Sequence, residues 1–256
     1  MCLLLIANKV HPKFKLIIAA NRDEFYDRPT AQADFWKDHP NLLAGRDLKE
    51  GGTWLGITKE GRIAAITNYR DLSNIKPDAP TRGKLTTDFL TGTDSPQDYH
   101  KKIKSKEKVY NGFNLVFGIK TELFFYSNYS NEFVKFGKGI FGLSNCLLDT
   151  PWPKVEKSKR EMKKLIEESE FQFDKLFKIL SDTSIAADET LPDTGVGLQL
   201  ERILSSIFIK SSLYGTRCST VITIDNNGNV EFIENTYLNS ENKFSKVNYK
   251  FKIKAN

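Results

Sequence analysis

The sequence predicts an α+β fold, and three observations predict it. Strand-like runs open and close the chain. Helical patterns are grouped between blocks of strands, with no regular alternation of strand and helix. Short turn signals join neighbouring strand runs, which points to antiparallel hairpins, with helices covering the outer faces of the sheets. No internal repeat and no long linker divides the 256 residues, so residues 1–256 are read as one domain.

The elements follow in order. Cys2–Val10 is apolar almost throughout and reads as a strand buried on both faces. His11-Pro12 breaks it, and Phe14–Ala20 returns as the second arm of a hairpin, ending in the polar run Asn21-Arg22-Asp23-Glu24. Gly51-Gly52 opens a strand at Thr53–Ile57, and Glu60-Gly61 turns into Arg62–Thr67. Asp71–Arg82 is a loop. Lys84–Leu90 is a short helix, and Ser95-Pro96-Gln97-Asp98 starts another, with Ser95 as cap and Pro96 in the first helical position. Strands follow at Phe113–Gly118, Leu123–Ser127, Phe133–Phe136 and Ile140–Leu143.

After Trp152-Pro153 the period changes to that of a helix. Val155, Met162, Leu165 and Ile166 lie among charges, so Lys154–Ser169 is an amphipathic helix. Asp174–Leu180 and the segment holding Leu200, Ile203, Leu204 and Ile207 are also helical. Cys218–Ile224 and Val230–Asn235 form a hairpin around Asp225-Asn226-Asn227-Gly228, and Val247–Ile253 is an edge strand.

Composition narrows the function classes. The excess of 38 basic over 32 acidic residues is mild, and the lysines cluster in Lys101–Lys108 and Lys154–Lys164, read as solvated helix faces. No nucleic-acid-binding signature accompanies them, so nucleic acid is not an expected partner. Cys2, Cys146 and Cys218 are odd in number and form no C-x-x-C pair, which argues for a reducing, cytoplasmic compartment. The apolar start is too short for a signal peptide, and no run approaches the roughly 20 apolar residues of a membrane helix. His11, His39 and His100 have no ligand spacing, so no metal is expected.

Chemistry concentrates at Cys2. A small second residue permits removal of Met1, which would leave one residue with both a thiol and an α-amine. The amine titrates near pH 7.7–8.0 in reference compounds, so it can act as the base for its own thiol. In the predicted hairpin the end of the second arm lies beside the start of the first, which brings Asn21–Glu24 to Cys2. A guanidinium there favours the thiolate, and a carboxylate can hold the α-amine. Asn68 and Asn145 each follow a strand, where an amide can donate to an oxyanion or form a turn.

The start Met1-Cys2, Asn21-Arg22-Asp23-Glu24, Gly51-Gly52-Thr53-Trp54-Leu55-Gly56, Thr67-Asn68-Tyr69-Arg70, Gly142-Leu143-Ser144-Asn145 with Thr150-Pro151-Trp152, Leu191-Pro192-Asp193-Thr194-Gly195 and Tyr214-Gly215-Thr216-Arg217-Cys218-Ser219-Thr220 together resemble the NRDE family, the homologues of transport and Golgi organization protein two. That family in turn resembles the N-terminal-nucleophile hydrolases of the choloylglycine hydrolase and penicillin V acylase group. The resemblance implies a four-layer αββα sandwich. It implies Cys2 as nucleophile, with Arg22, Asp23, Asn68 and Asn145 as catalytic partners. Asn21, Glu24, Trp54, Arg70 and Arg217 are the expected substrate contacts. It implies hydrolysis of an amide or thioester, with acyl-coenzyme A as one substrate, or else non-catalytic binding and trafficking of haem or an acyl-coenzyme A or lipid ligand on the same scaffold. Haem would be a ligand and not a required cofactor; the chain has no C-x-x-C-H and few histidines. The chain departs from those hydrolases in one respect. Their Arg and Asp are separated, whereas Arg22 and Asp23 are adjacent. Neighbours on a strand point to opposite faces, so a backbone bend is needed for both to face Cys2.

Overall fold

The computed structural model describes residues 2–237 and 244–254. In chain order the strands are β1 (Cys2–Asn8), β2 (Phe14–Phe25), β3 (Thr30–Phe35), β4 (Leu42–Asp47), β5 (Leu55–Thr58), β6 (Arg62–Asn68), β7 (Phe113–Ile119), β8 (Glu122–Ser127), β9 (Phe133–Lys135), β10 (Gly139–Leu143), β11 (Tyr214–Asp225), β12 (Asn229–Tyr237) and β13 (Phe244–Lys252). The helices are α1 (Gly83–Thr91), α2 (Pro96–Lys104), α3 (Pro153–Ile166), α4 (Phe173–Leu180) and α5 (Leu198–Ser205). Contacts divide the chain into two compact units that interleave in sequence. Met1–Asp27 and Lys138–Lys250 form the first, Arg28–Gly137 and Phe251–Asn256 the second.

The first unit is built on a six-stranded sheet in the order β10-β1-β2-β11-β12-β13. Strand alternation sends Leu3, Leu5, Ala7, Ile17, Ala19, Val221 and Ile233 to one face, where they pack on Val155, Met162 and Leu165 of α3 and Leu176 and Leu180 of α4. Leu4, Ile6, Ile18, Ile222 and Phe232 on the other face are buried too. Burial on both faces is why these strands read as unbroken apolar runs. Pro153 stands in the first turn of α3, where its missing N–H costs no helical bond.

The second unit is a seven-stranded meander, β3 to β9 in sequence order. Leu85, Phe89 and Leu90 of α1 and Tyr99 and Ile103 of α2 pack on Ala64, Ile66, Leu115 and Phe117. Ser95 Oγ accepts from the Asp98 backbone N–H at 3.1 Å and donates to its carboxylate at 2.7 Å, so the expected cap starts α2. Each unit thus pairs one sheet with its own helices.

Two strands were not anticipated. β3 has one buried residue, Ala33, and so lacks the alternation that marks a strand. β4 is short and contains Gly45, and a Cβ there would overlap the Trp54 indole. Gly45→Ala is therefore expected to cost about 1–3 kcal/mol by displacing Trp54, read as a lower urea midpoint with blue-to-red displacement of tryptophan emission. β2 is longer than expected, because Asn21–Phe25 stays paired with β11 on one side and Cys2 and Leu3 still pair on the other.

Candidate functional site

Cys2 heads β1 and stands in register with Arg22 of β2, whose other neighbour is Cys218 of β11. Cross-strand partners share a face, so Cys2, Arg22 and Cys218 form one row on the side of the sheet away from α3 and α4. β10 flanks β1 with Leu143 opposite Leu4, and the chain continues through Ser144 and Asn145 alongside the start of β1. Ser144 Oγ donates to the Cys2 carbonyl at 3.0 Å, which fixes this segment, and Asn145 is buried. The structure thus brings Cys2, Arg22 and Asp23 together, with Asn145 one residue beyond the Ser144 that bonds the Cys2 carbonyl. Met1 lies outside the described residues.

Asp23 pairs with Thr216, not with the row that holds Cys2. Between Thr216 and Cys218 the register shifts, leaving Arg217 as the extra residue of a bulge opposite the Arg22–Asp23 step. Thr216 Oγ1 donates to Asp23 Oδ1 at 2.6 Å and accepts from the Ile209 N–H at 2.9 Å. Tyr214 OH donates to the Asp23 carbonyl at 2.9 Å. Arg22 and Asp23 therefore keep opposite faces, yet both act on Cys2 because it sits at the strand end. Burial pushes the Cys2 thiol above its ordinary value and the Asp23 carboxylate adds to the rise; the Asp23 N–H and the Arg22 guanidinium oppose it. Burial also pushes the Asp23 carboxyl up, against the Lys154 ammonium, the Thr216 hydroxyl and Arg22.

Lys154 corrects an expectation. The composition places Lys154–Lys164 on a solvated face, but Lys154 is 3 % exposed and donates to the Leu204 carbonyl at 2.9 Å. Its charge supports that of Asp23 from the helical side. The signal was present in the sequence: Lys154, Ser158, Met162 and Leu165 follow helical spacing on one stripe, and all four are buried. Thr216 and Ser144, also absent from the expected set, could not be found this way, since hydroxyl residues beside strands are common.

Asn21 faces the helices. Its Nδ2 donates to the carbonyls of Leu180 and Ile207, each at 2.8 Å, and its Oδ1 accepts from Ser219 Oγ at 2.6 Å. Leu180 ends α4, so Asn21 satisfies a helix-terminal carbonyl in place of the substrate contact that was expected of it. Asn21→Ala is expected to lower stability by about 3 kcal/mol in denaturant unfolding, through buried groups left unpaired.

Glu24 places its carboxylate 3.8 Å from Arg22 Nη2 and is partly exposed. Arg217 donates from Nη1 to the Phe25 carbonyl at 2.7 Å, and burial, then the neighbouring Arg22 charge, lower its pKa. Asn68, Trp54 and Arg70 belong to the second unit. Asn68 ends β6 opposite Phe113 and is exposed; Arg70 follows it, half-buried. Cys218 is buried, and burial together with Glu234 holds its thiol protonated. Among the described residues no cluster of His, Cys, Asp and Glu could hold a metal ion, and no helix is long and apolar enough to cross a membrane.

The chain is similar in structure to an N-acylethanolamine-hydrolyzing acid amidase orthologue of Caenorhabditis elegans, with a TM-score of 0.53 and 11% identity over 86% of this chain and 92% of that one. It is similar also to a variant of conjugated bile acid hydrolase from Clostridium perfringens, with a TM-score of 0.55 and 9% identity over 98% and 97% of the two chains. These likenesses show an α+β fold of the N-terminal-nucleophile hydrolase type. The family described as Transport and Golgi organisation 2 matches residues 1–239, and the chain belongs to it. Homologues carrying that name are 36% identical in Mus musculus, over 94% of both chains, and 36% identical in Homo sapiens, over 89% of this chain and 88% of that one. The Drosophila melanogaster protein is 28% identical over 92% of both.

Proposed function

We propose that the chain is a Cys2-dependent hydrolase of an acyl thioester or amide. One observation carries this reading: Cys2 is in register with Arg22, with Asp23 next along β2 and the Ser144 that precedes Asn145 bonded to the Cys2 carbonyl. The desolvated thiol needs a base. After loss of Met1 the α-amine of Cys2 takes the thiol proton, and Asp23 stabilises the resulting ammonium. The Sγ adds to the acyl carbon, Asn145 donates to the oxyanion, and collapse breaks the bond to the leaving thiol or amine, which takes the proton from the ammonium. Water then adds to the acyl-Cys2 carbon and expels the thiol, releasing the carboxylic acid. Arg217, bulged beside Arg22, suits an anionic headgroup such as that of acyl-coenzyme A.

The second reading is a non-catalytic carrier of an acyl-coenzyme A, lipid or haem ligand. The observation in its favour is the burial that holds the Cys2 thiol protonated. The purified chain is assayed for coenzyme A release from octanoyl-coenzyme A and for cleavage of an N-octanoyl amide. Turnover of either supports the hydrolase; binding of octanoyl-coenzyme A with no turnover of either assigns the carrier.

A further inference from the structure

The second unit holds a pocket of about 500 Å³, lined by Arg62 at the start of β6 and Thr58 at the end of β5. Asn68 closes the other end of β6, roughly 20 Å away at the rise of a strand. The pocket is of a size that suits a small organic ligand. Leu42, Leu90 and Ile119 give it an apolar wall.

Its charges are not equivalent. The Asp38 carboxylate is held by both Nη atoms of Arg46, at 2.8 and 2.7 Å. The Glu60 carboxylate accepts from Lys254 at 3.0 Å. Arg62 is different. It is only 8 % exposed, and its guanidinium stacks on the Phe89 ring at 4.1 Å. Its Nε donates to the Phe89 carbonyl and its Nη2 to the Asp94 carbonyl, each at 2.8 Å. A guanidinium has five N–H donors, and these bonds use two. Among the described residues none accepts from Nη1. The Asp94 carboxylate, the acid that bears on this charge, is itself gripped by Lys102 at 2.7 Å from both oxygens.

Nη1 is open to solvent at the pocket, so an anion entering there can accept from it without displacing a protein partner. We infer that this pocket binds a carboxylate-bearing amphiphile, its carboxylate on Arg62 Nη1 and its hydrocarbon chain against Leu42, Leu90 and Ile119. All the lining residues belong to the second unit, whereas Cys2 belongs to the first, and occupation of the pocket does not depend on turnover at Cys2.

Decanoate is titrated into the chain by calorimetry, with decanol and inorganic phosphate as controls. Decanoate is expected to bind more tightly than either control. Arg62→Gln is expected to weaken it about tenfold or more. Thr91→Trp, which fills the pocket from an exposed lining residue and leaves the Arg62 bonds intact, is expected to do the same and serves if Arg62→Gln does not fold. Cys2→Ala is expected to bind decanoate as the parent does. No binding of decanoate, equal binding of decanol or phosphate, binding unmoved by either pocket variant, or binding lost in Cys2→Ala would each overturn the assignment.

Discussion

Cys2→Ala is expected to lower kcat/KM for a thioester or amide by about three orders of magnitude or more, because it removes the atom that bonds to the substrate. The fold is expected to survive. Cys2 stands at the head of β1 and the change removes only its sulfur, so the melting temperature should move by no more than about 3 °C. Octanoyl-coenzyme A binding, measured separately, should persist. This combination separates loss of chemistry from loss of structure. Turnover retained in Cys2→Ala would remove the thiol from the mechanism.

Lys154→Met is the second large effect, and it is a loss of stability. Methionine keeps the length of the stem against the core but removes the hydrogen bond to Leu204 and the cation that supports Asp23. At neutral pH the expected cost is about 2–3 kcal/mol. The pH dependence follows from the Asp23 carboxyl, which burial raises above its ordinary 3.8. A group whose folded pKa is raised contributes stability that is fully present below the unfolded pKa and is lost as pH rises through the folded pKa. Removing Lys154 raises that folded pKa further, so the loss extends to higher pH. The deficit of Lys154→Met should therefore be smallest below about pH 4 and grow to a plateau above the raised pKa. Urea unfolding of both chains across that range reads it directly. A deficit that is flat with pH would mean that Lys154 acts through the Leu204 carbonyl alone.

Much of this arrangement was legible in the sequence because it is local. The break at His11-Pro12 between two apolar runs fixes the first hairpin, and a hairpin sets Cys2 against the residues at the end of its second arm. Alternation along that arm then separates Arg22, on the Cys2 side, from Asn21, on the helix side, although the polar run Asn21-Arg22-Asp23-Glu24 reads at first as a single patch. The bulge at Arg217 was not legible. It exists only once β2 pairs with β11, nearly two hundred residues downstream, and no local pattern specifies such a pairing. The stripe Lys154 shares with Ser158, Met162 and Leu165 marks it as buried, but the lysines around it mask that mark. A lysine in a lysine-rich helix reads as solvated, and its burial makes sense only beside a carboxylate from a distant strand. The strands β3 and β4 escaped because their residues are small, polar or few, and tertiary pairing overrode weak local signals.

The central claim is that Cys2, with Met1 removed, carries the acyl group. The chain is mixed with octanoyl-coenzyme A, quenched in acid within a turnover, digested and examined by mass spectrometry at its N-terminal peptide. The account predicts a peptide that begins at Cys2 and carries one octanoyl group on the sulfur, absent from the Cys2→Ala chain. A peptide that retains Met1, or an octanoyl group found on Cys146 or on no cysteine, would contradict it.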